Sequence, residues 1–205
     1  MMRKIERGDV KDILEYEKDR SNFRRHIIDM KKGRRIDVGR YLGFVFENRD
    51  TVLFQIEEMI RAERIVQEER IAEEIAVYNA LIPGSDELSA TMLIQITEPK
   101  RIKPVLESFI GVDSGECVWL AFGEERVYGR FEEGHSNESR ISAVHYVTFP
   151  FTEQQARHFR SGEDVLFLCV EHGDYQHQAL VKPEVRHSLI QDLEALDDPM
   201  RGRST

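Results

Sequence analysis

One helical pattern, from Asp50 to Pro83, constrains this chain most, because every strand-like run in the sequence lies outside it. Asn48 and Asp50 are favourable cap residues, so the helix should begin between them. Pro83 followed by Gly84 ends the pattern, since proline cannot continue a helix. We expect either one long helix that bends near residues 67–69 or two consecutive helices.

Glu63 is the residue that breaks this pattern. At 100° per residue it lies roughly 20° from Val52, in the middle of an apolar arc. The arc contains Val52, Ile56, Met59, Ile60, Ala62 and Val66, whereas Glu57, Arg61 and Arg64 point away from it. A carboxylate on a buried face must be paired, hydrogen-bonded or protonated. A straight helix therefore predicts that Glu63 reaches an arginine or histidine, with Arg34, Arg35 and His145 as first partners, whereas a bend exposes it.

Alternating apolar residues mark the strands. The clearest run, ELSATMLIQIT at 87–97, has one dry face and one wetter face. The runs CVWLAF and RVYGRF are separated by a short glycine-containing turn, which is typical of a hairpin. No regular alternation of strands and helices appears. The pattern predicts an α+β protein with a mostly antiparallel or mixed sheet of about seven strands and helices packed on one face.

Charge divides the chain into three expected parts. Residues 1–40 hold 13 Lys/Arg against 8 Asp/Glu, which leaves 16 against 30 for residues 41–205. We expect a basic helical arm at 1–40, with helices capped by Asp9 and Ser21 and ended by Gly33, an α+β domain at 41–196, and a disordered tail at 197–205. The net charge of −9 opposes binding to a polyanion. The arm is therefore expected to dock on its own body or on a neighbouring subunit.

The composition favours a cytoplasmic protein without a membrane partner. No apolar run approaches the length of a membrane span, and the first residues lack the apolar core of a signal peptide. The two cysteines, Cys117 and Cys169, lie in apolar strand-like runs. Both are expected to be buried free thiols in a reducing compartment.

Recognisable catalytic motifs are absent from the sequence. It contains no P-loop, GxGxxG, GxSxG, HExxH or CxxC motif. Two ExxH spacings, Glu184–His187 and Glu132–His135, lack the facing carboxylates that a metal site of this kind needs, so we assign no metal and leave the cofactor open. His145 lies on an apolar strand row. It is either a satisfied core residue or a proton-transfer or ligand-contact residue tuned by a neighbouring carboxylate.

Five separated segments resemble a bacterial family of uncharacterised proteins over residues 5–196. They are KKGRRIDVG, FENRDTVLFQIEEMIRAERI, EEIAVYNALIP, ELSATMLIQI and SAVHYVTF. The resemblance implies genes beside rubrerythrin-like proteins and iron–sulfur proteins related to heterodisulfide reductase, and hence a redox or oxidative-stress setting. It assigns no activity and no cofactor. Its pattern includes Arg35, Gln55, Glu58, Arg61, Glu63, Arg64, Tyr78, Asn79 and His145.

Three hypotheses of function follow, and whether the protein is an enzyme stays open. The first is an accessory or ligand-binding component of a cytoplasmic redox system, with a redox protein or a second copy of the chain as compatible partners. The second is an enzyme or metal-binding protein that uses Gln55, Glu58 and Glu63 with His145. The third is a nucleic-acid-binding regulator acting through the basic arm, which the overall charge disfavours. The candidate ligand-binding residues are Arg34, Arg35, Gln55, Glu58, Arg61, Glu63, Arg64, Tyr78 and His145.

Overall fold

The helical pattern of residues 50–83 forms two consecutive helices, which is one of the two outcomes expected from the sequence. The computed structural model describes residues 2–132, 136–137 and 140–197. Its helices are α1 (Ile13–Lys32), α2 (Arg49–Glu63), α3 (Glu68–Asn79), α4 (Ile102–Ser108), α5 (Glu153–Ser161) and α6 (Pro183–Asp197). Short 3-10 turns at Arg7–Asp9 and Pro99–Arg101 precede α1 and α4. No helix among these residues is long and apolar enough to cross a membrane. Residues 198–205, most of the expected tail, lie outside the described part.

The strands pair antiparallel, which confirms the α+β class. They are β1 (Arg35–Val38), β2 (Leu42–Glu47), β3 (Glu87–Ile94), β4 (Val118–Phe122), β5 (Glu125–Tyr128), β6 (Arg130–Phe131), β7 (Ser136–Asn137), β8 (Arg140–Ile141), β9 (Val144–Pro150), β10 (Leu166–His172) and β11 (Tyr175–Leu180). Nine of them form a five-stranded sheet, β1-β2-β3-β9-β6, and a four-stranded sheet, β11-β10-β4-β5. The expected hairpin of CVWLAF and RVYGRF is β4 paired with β5.

The buried hydrophobic residues form two separate cores. The main core lies between the inner faces of the two sheets and includes side chains of α4, α5 and α6. The second core consists of the N-terminal segment, α2 and α3, and Tyr146 on the outer face of β9 packs against it. Strand β3 shows the predicted alternation: Ala90 and Met92 lie in the main core, whereas Ser89 and Thr91 lie on the opposite face.

A Schellman motif ends α2 and overturns the straight-helix alternative, in which Glu63 is buried. Arg64 adopts the left-handed conformation with φ 52°, and its N–H donates to the carbonyl of Arg61 at 3.3 Å. The N–H of Ile65 donates to the carbonyl of Ile60 at 2.9 Å, and both isoleucines are buried. Because the chain reverses here, Glu63 is the last helical residue and its side chain is exposed.

The N-terminal residues form one helix where two were expected. Asp12, not Asp9, caps α1 by accepting from the N–H groups of Leu14 and Glu15, and the helix runs through Ser21 to Gly33. This helix packs along α2 and covers a side that was predicted to face water. Glu57 on that side is consequently buried, and its Oε1 accepts the Lys11 N–H at 3.1 Å.

Candidate functional site

Arg34 has a structural role, and its side chain is not accessible to a ligand. Its side chain is 2% exposed and donates from Nε to the Phe46 carbonyl at 2.8 Å. It also donates to the Ser188 hydroxyl at 2.8 Å and forms an ion pair with Asp192, both on α6. Arg34 therefore joins the end of β2 to α6 and has no face left for a ligand.

Glu58 and Arg61 fasten α1 to α2. The Glu58 carboxylate accepts from the Tyr16 hydroxyl at 2.7 Å and from Arg20 at 2.6 and 3.0 Å, with Arg61 at 3.3 Å. Hydrogen bonds from Arg20 above all hold the pKa of Glu58 at about 2. Farther along, the Asn79 side chain pairs with both backbone groups of Ile5 at 2.9 Å. These contacts support docking of the basic arm on its own body.

The remaining helix candidates do not meet His145. Glu63 and Arg64 are exposed at the end of α2, and the Gln55 amide donates to the Thr51 carbonyl one turn earlier at 3.2 Å. Arg35 lies at the sheet edge and donates to Gln95 at 2.8 Å. His145 projects into the main core from β9, whereas α2 packs in the second core. The polar set proposed from sequence is therefore divided between the two sides of the five-stranded sheet.

A buried carboxylate that sequence reasoning missed, Glu47, lies on the outer face of this sheet. It is 2% exposed and accepts from the hydroxyls of Thr51 at 2.5 Å and Thr91 at 2.7 Å. Burial is the main cause that raises the pKa of Tyr146, and the negative charges of Glu47 and Glu132 raise it further. Burial also raises the pKa of Tyr78, with a smaller contribution from Tyr146. The alternation of β2 was the available signal, since it places Glu47 on the wetter face beside Ser89.

His145 is the predicted residue whose surroundings most resemble a functional site. Its side chain is 1% exposed, and its Nε2 lies 2.8 Å from the Ser142 carbonyl oxygen. Because a carbonyl only accepts, Nε2 carries a proton. Its Nδ1 lies 3.6 Å from Oδ2 of Asp113, which is the neighbouring carboxylate that the sequence could not identify. The Phe131 ring meets the imidazole edge-on, with 6.1 Å between centroids.

The other side of Asp113 faces an open groove of about 440 Å³. The groove lies where the chain passes from β5 of one sheet to β6 of the other, and Gly129 at this crossing packs closely on β9. A Cβ there would lie 2.6 Å from Cγ2 of Val147. The groove carries charges of both signs, and its polar lining includes Asp113, Glu116, Arg126, Tyr128, Arg130 and Gln155. His145 lies behind Asp113, with 3.6 Å between Nδ1 and Oδ2, and the carboxylate is left open to the groove on its other side.

Metal-ligand groups are not assembled in the described part of the chain, where no set of three His, Cys, Asp or Glu side chains could hold an ion. Of the two ExxH spacings, Glu184 is exposed and His187 contacts Gln191 at 3.0 Å. His135 of the other spacing lies outside the described residues.

Comparison with known proteins identifies the family. The model of the family described as "protein of unknown function (DUF3501)" matches residues 4–193. A crystal structure at 1.90 Å of a novel protein of unknown function from Burkholderia pseudomallei K96243 is similar, with a TM-score of 0.86 and 28% identity. The alignment covers 93% of this chain and 100% of that one. Comparison with curated proteins gives no match. The chain belongs to the DUF3501 family of proteins of unknown function.

Proposed function

We propose that the protein is a ligand-binding protein whose site is the groove beside β5 and β6. The observation that carries the proposal is Asp113, which faces the groove on one side and lies 3.6 Å from His145 on the other. The buried imidazole occupies the space on one side of the partly exposed carboxylate, which leaves the Asp113 side chain fewer orientations. Orientation before binding reduces the entropy that a ligand must lose.

The charges of the groove define the class of ligand. Asp113 and Glu116 favour a cationic or hydrogen-bond-donating group, and Arg130 and Arg126 favour an anionic one. Arg126 is already positioned, because its guanidinium lies 5.4 Å from the centre of the Trp119 ring. Carboxylates and guanidiniums in one groove suit a small zwitterion, such as an amino acid or a short peptide, better than a polyanion.

We expect a saturable complex with such a ligand, detectable by NMR with glycyl-glutamate and glycyl-lysine as probes. Backbone amide shifts should concentrate in residues 113–116 and 126–131. Asp113→Asn should weaken binding about tenfold, since a hydrogen bond to a charged group contributes about 1.5–3 kcal/mol. Glu107→Gln, on α4 and outside the groove lining, is the matched control and should bind as the parent does. Absence of saturable shifts, or equal affinity of both variants, would exclude the groove as the site.

A general acid–base enzyme is the second candidate, favoured by the same Asp113–His145 contact. In that case Asp113 exchanges a proton with the bound molecule while His145 acts as a positioning residue. The fate of the bound probe distinguishes the binding protein from the enzyme. A binding protein leaves its probe unchanged, whereas an enzyme converts it and loses that conversion in Asp113→Asn.

The setting that we propose is an accessory role, without catalysis of its own, in a redox system. The support for the redox setting is the family resemblance, and the two thiols bear only on whether the chain itself is redox-active. Cys117 lies 3.8 Å from the Nδ1 atom of His172, and Cys169 is buried on β10. Burial raises the pKa of both thiols, although Arg126 opposes this at Cys169. Redox-active cysteines have a lowered pKa, so the raised values argue against disulfide exchange by this chain itself.

Slow thiol alkylation is the corresponding prediction. At pH 7.4, both folded-state thiols should react with iodoacetamide at least about tenfold more slowly than glutathione, because thiolate is scarce and access is restricted. Mass spectrometry after timed quenching measures each site. The urea-unfolded chain serves as the control and should react at the rate of a free thiol. Rapid modification of Cys117 in the folded protein would instead indicate thiolate stabilisation by His172 and an active redox role.

A further inference from the structure

A basic cluster around Tyr41 forms a second site, separate from the groove and from the proposed function. We propose that this cluster binds one tetrahedral oxyanion, such as the phosphate group of a small phosphorylated molecule. The cluster lines a cavity of about 110 Å³ and comprises Arg40, Tyr41, Gln95, Thr97 and Arg101, together with the carboxylate of Glu98. One water molecule needs about 10–15 Å³ of cavity volume, so the cavity has room for a small oxyanion.

Tyr41 holds two guanidinium groups at the cavity. The carbon centres of Arg40 and Arg101 lie 5.5 and 5.9 Å from the centre of its ring. Tyr41 is itself fixed, because its N–H donates to the Tyr175 hydroxyl at 3.1 Å and the two rings lie 6.3 Å apart. Arginine presents a planar fork of donors that matches phosphate oxygens, so two positioned guanidiniums form an anion site with little further ordering.

Gln95 adds an uncharged donor to the lining of the cavity. Its Oε1 accepts from Arg35 at 2.8 Å, which orients the amide with Nε2 as the remaining donor. The amide can lie this close to the Gly43 backbone because residue 43 has no side chain: a Cβ there would be 2.0 Å from Nε2. Among the hydrogen bonds of the described residues, none is donated by this Nε2. The nearby Asp37 Oδ1 accepts from Arg35 at 2.8 Å. The cavity therefore presents donors where an oxyanion presents acceptors.

The local charge favours an anion although the chain as a whole is acidic. Glu98 is the carboxylate in the cavity lining, and it forms an ion pair with Arg40. Within the described residues, no carboxylate lies within ion-pair distance of Arg101, so its positive charge is uncompensated. An incoming oxyanion would bind Arg101 and compete with Glu98 for Arg40. This competition is a specific consequence that a diffuse basic surface would not show.

An NMR titration with sodium phosphate and, separately, with glycerol phosphate at constant ionic strength tests the site. Constant ionic strength is needed because salt screens exposed charges. Both probes should cause saturable shifts at Tyr41, Gln95 and Arg101. Arg101→Ala should weaken binding about tenfold, and Glu98→Gln should strengthen it about threefold, within the range of exposed ion pairs.

Lys103→Ala is the matched control, because Lys103 is a nearby cation outside the cavity lining. It should change the dissociation constant less than twofold. Equal affinity for both probes means that the site reads the oxyanion alone, and tighter binding of glycerol phosphate means that it also contacts the substituent. Non-saturable shifts, or equal effects of Arg101→Ala and Lys103→Ala, would overturn the proposal in favour of general charge attraction.

Discussion

Arg34→Met is expected to lower the free energy of unfolding by about 3–5 kcal/mol at pH 7, because it leaves the buried carboxylate of Asp192 without its cation. The Arg34 side chain is 2% exposed, and the Asp192 side chain is 9% exposed. The substitution also removes the donors to the Phe46 and Glu47 carbonyls at 2.8 and 3.2 Å. Urea unfolding followed by circular dichroism gives the difference.

Arg35→Met is the matched control for that measurement. Arg35 is the next residue, with a side chain 36% exposed, and it pairs with Asp37 at the surface. Exposed pairs of this kind contribute about 0–1 kcal/mol, so the control should remain close to the parent. The double variant Arg34→Met/Asp192→Leu should recover much of the loss, because no buried charge is left unpaired. Equal losses for Arg34→Met and Arg35→Met would contradict the buried-pair assignment.

The pH dependence of Arg34→Met provides a second check. Burial raises the pKa of Asp192, and Arg34 opposes this effect in the parent protein. Without Arg34 the opposition is lost, so the folded variant favours protonated Asp192 more strongly. A raised carboxyl pKa in the folded state means that folding is favoured as pH falls through that pKa. The stability deficit of Arg34→Met should therefore shrink on acidification.

Arg34 and Arg35 also show where sequence reasoning stops. Both were named as basic partners for Glu63, yet one is buried and the other lies at the sheet edge. The difference arises from Ser188 and Asp192 on α6, far away in the sequence. Local periodicity contains no information about that contact. The strand alternation of 87–97 was predictable because it depends on residues within the strand itself.

The same distinction, between patterns within one element and contacts between distant elements, explains which site residues were placed correctly from the sequence. The apolar row of β9 correctly indicated a buried His145, but its carboxylate, Asp113, comes from a connection between α4 and β4. Glu63 was misplaced because the helical wheel assumed that α2 continued, whereas the left-handed Arg64 ends it. Glu57 was misplaced for a different reason. Its helix position was right, but the packing of α1 against that side could not be read from α2 alone.

Neutralising the adjacent carboxylates of Glu58 and Glu57 on α2 should have different effects on the free energy of unfolding. Glu58→Gln is expected to lower the free energy of unfolding at pH 7 by about 2–3 kcal/mol, at about 1.36 kcal/mol per pKa unit with an allowance for partial exposure. The pKa of Glu58 is about 2, below its ordinary 4.5, chiefly because Arg20 donates to it. A lowered pKa stabilises the fold above pH 4.5, and this contribution disappears as pH falls toward 2. The difference between parent and Glu58→Gln should vanish over that interval.

Glu57→Gln is the matched control and should be neutral or stabilising at pH 7. Burial raises the pKa of Glu57, so its negative charge is unfavourable in the fold, and a glutamine oxygen can still accept the Lys11 N–H. Hydrogen exchange distinguishes the mechanism. In Glu58→Gln the amides of α1 should exchange faster than those of the sheets, because Tyr16 and Arg20 lose the charged acceptor that fastens this helix to α2. If both variants lose the same stability, or if α1 remains as protected as in the parent, Glu58 does not fasten the N-terminal arm.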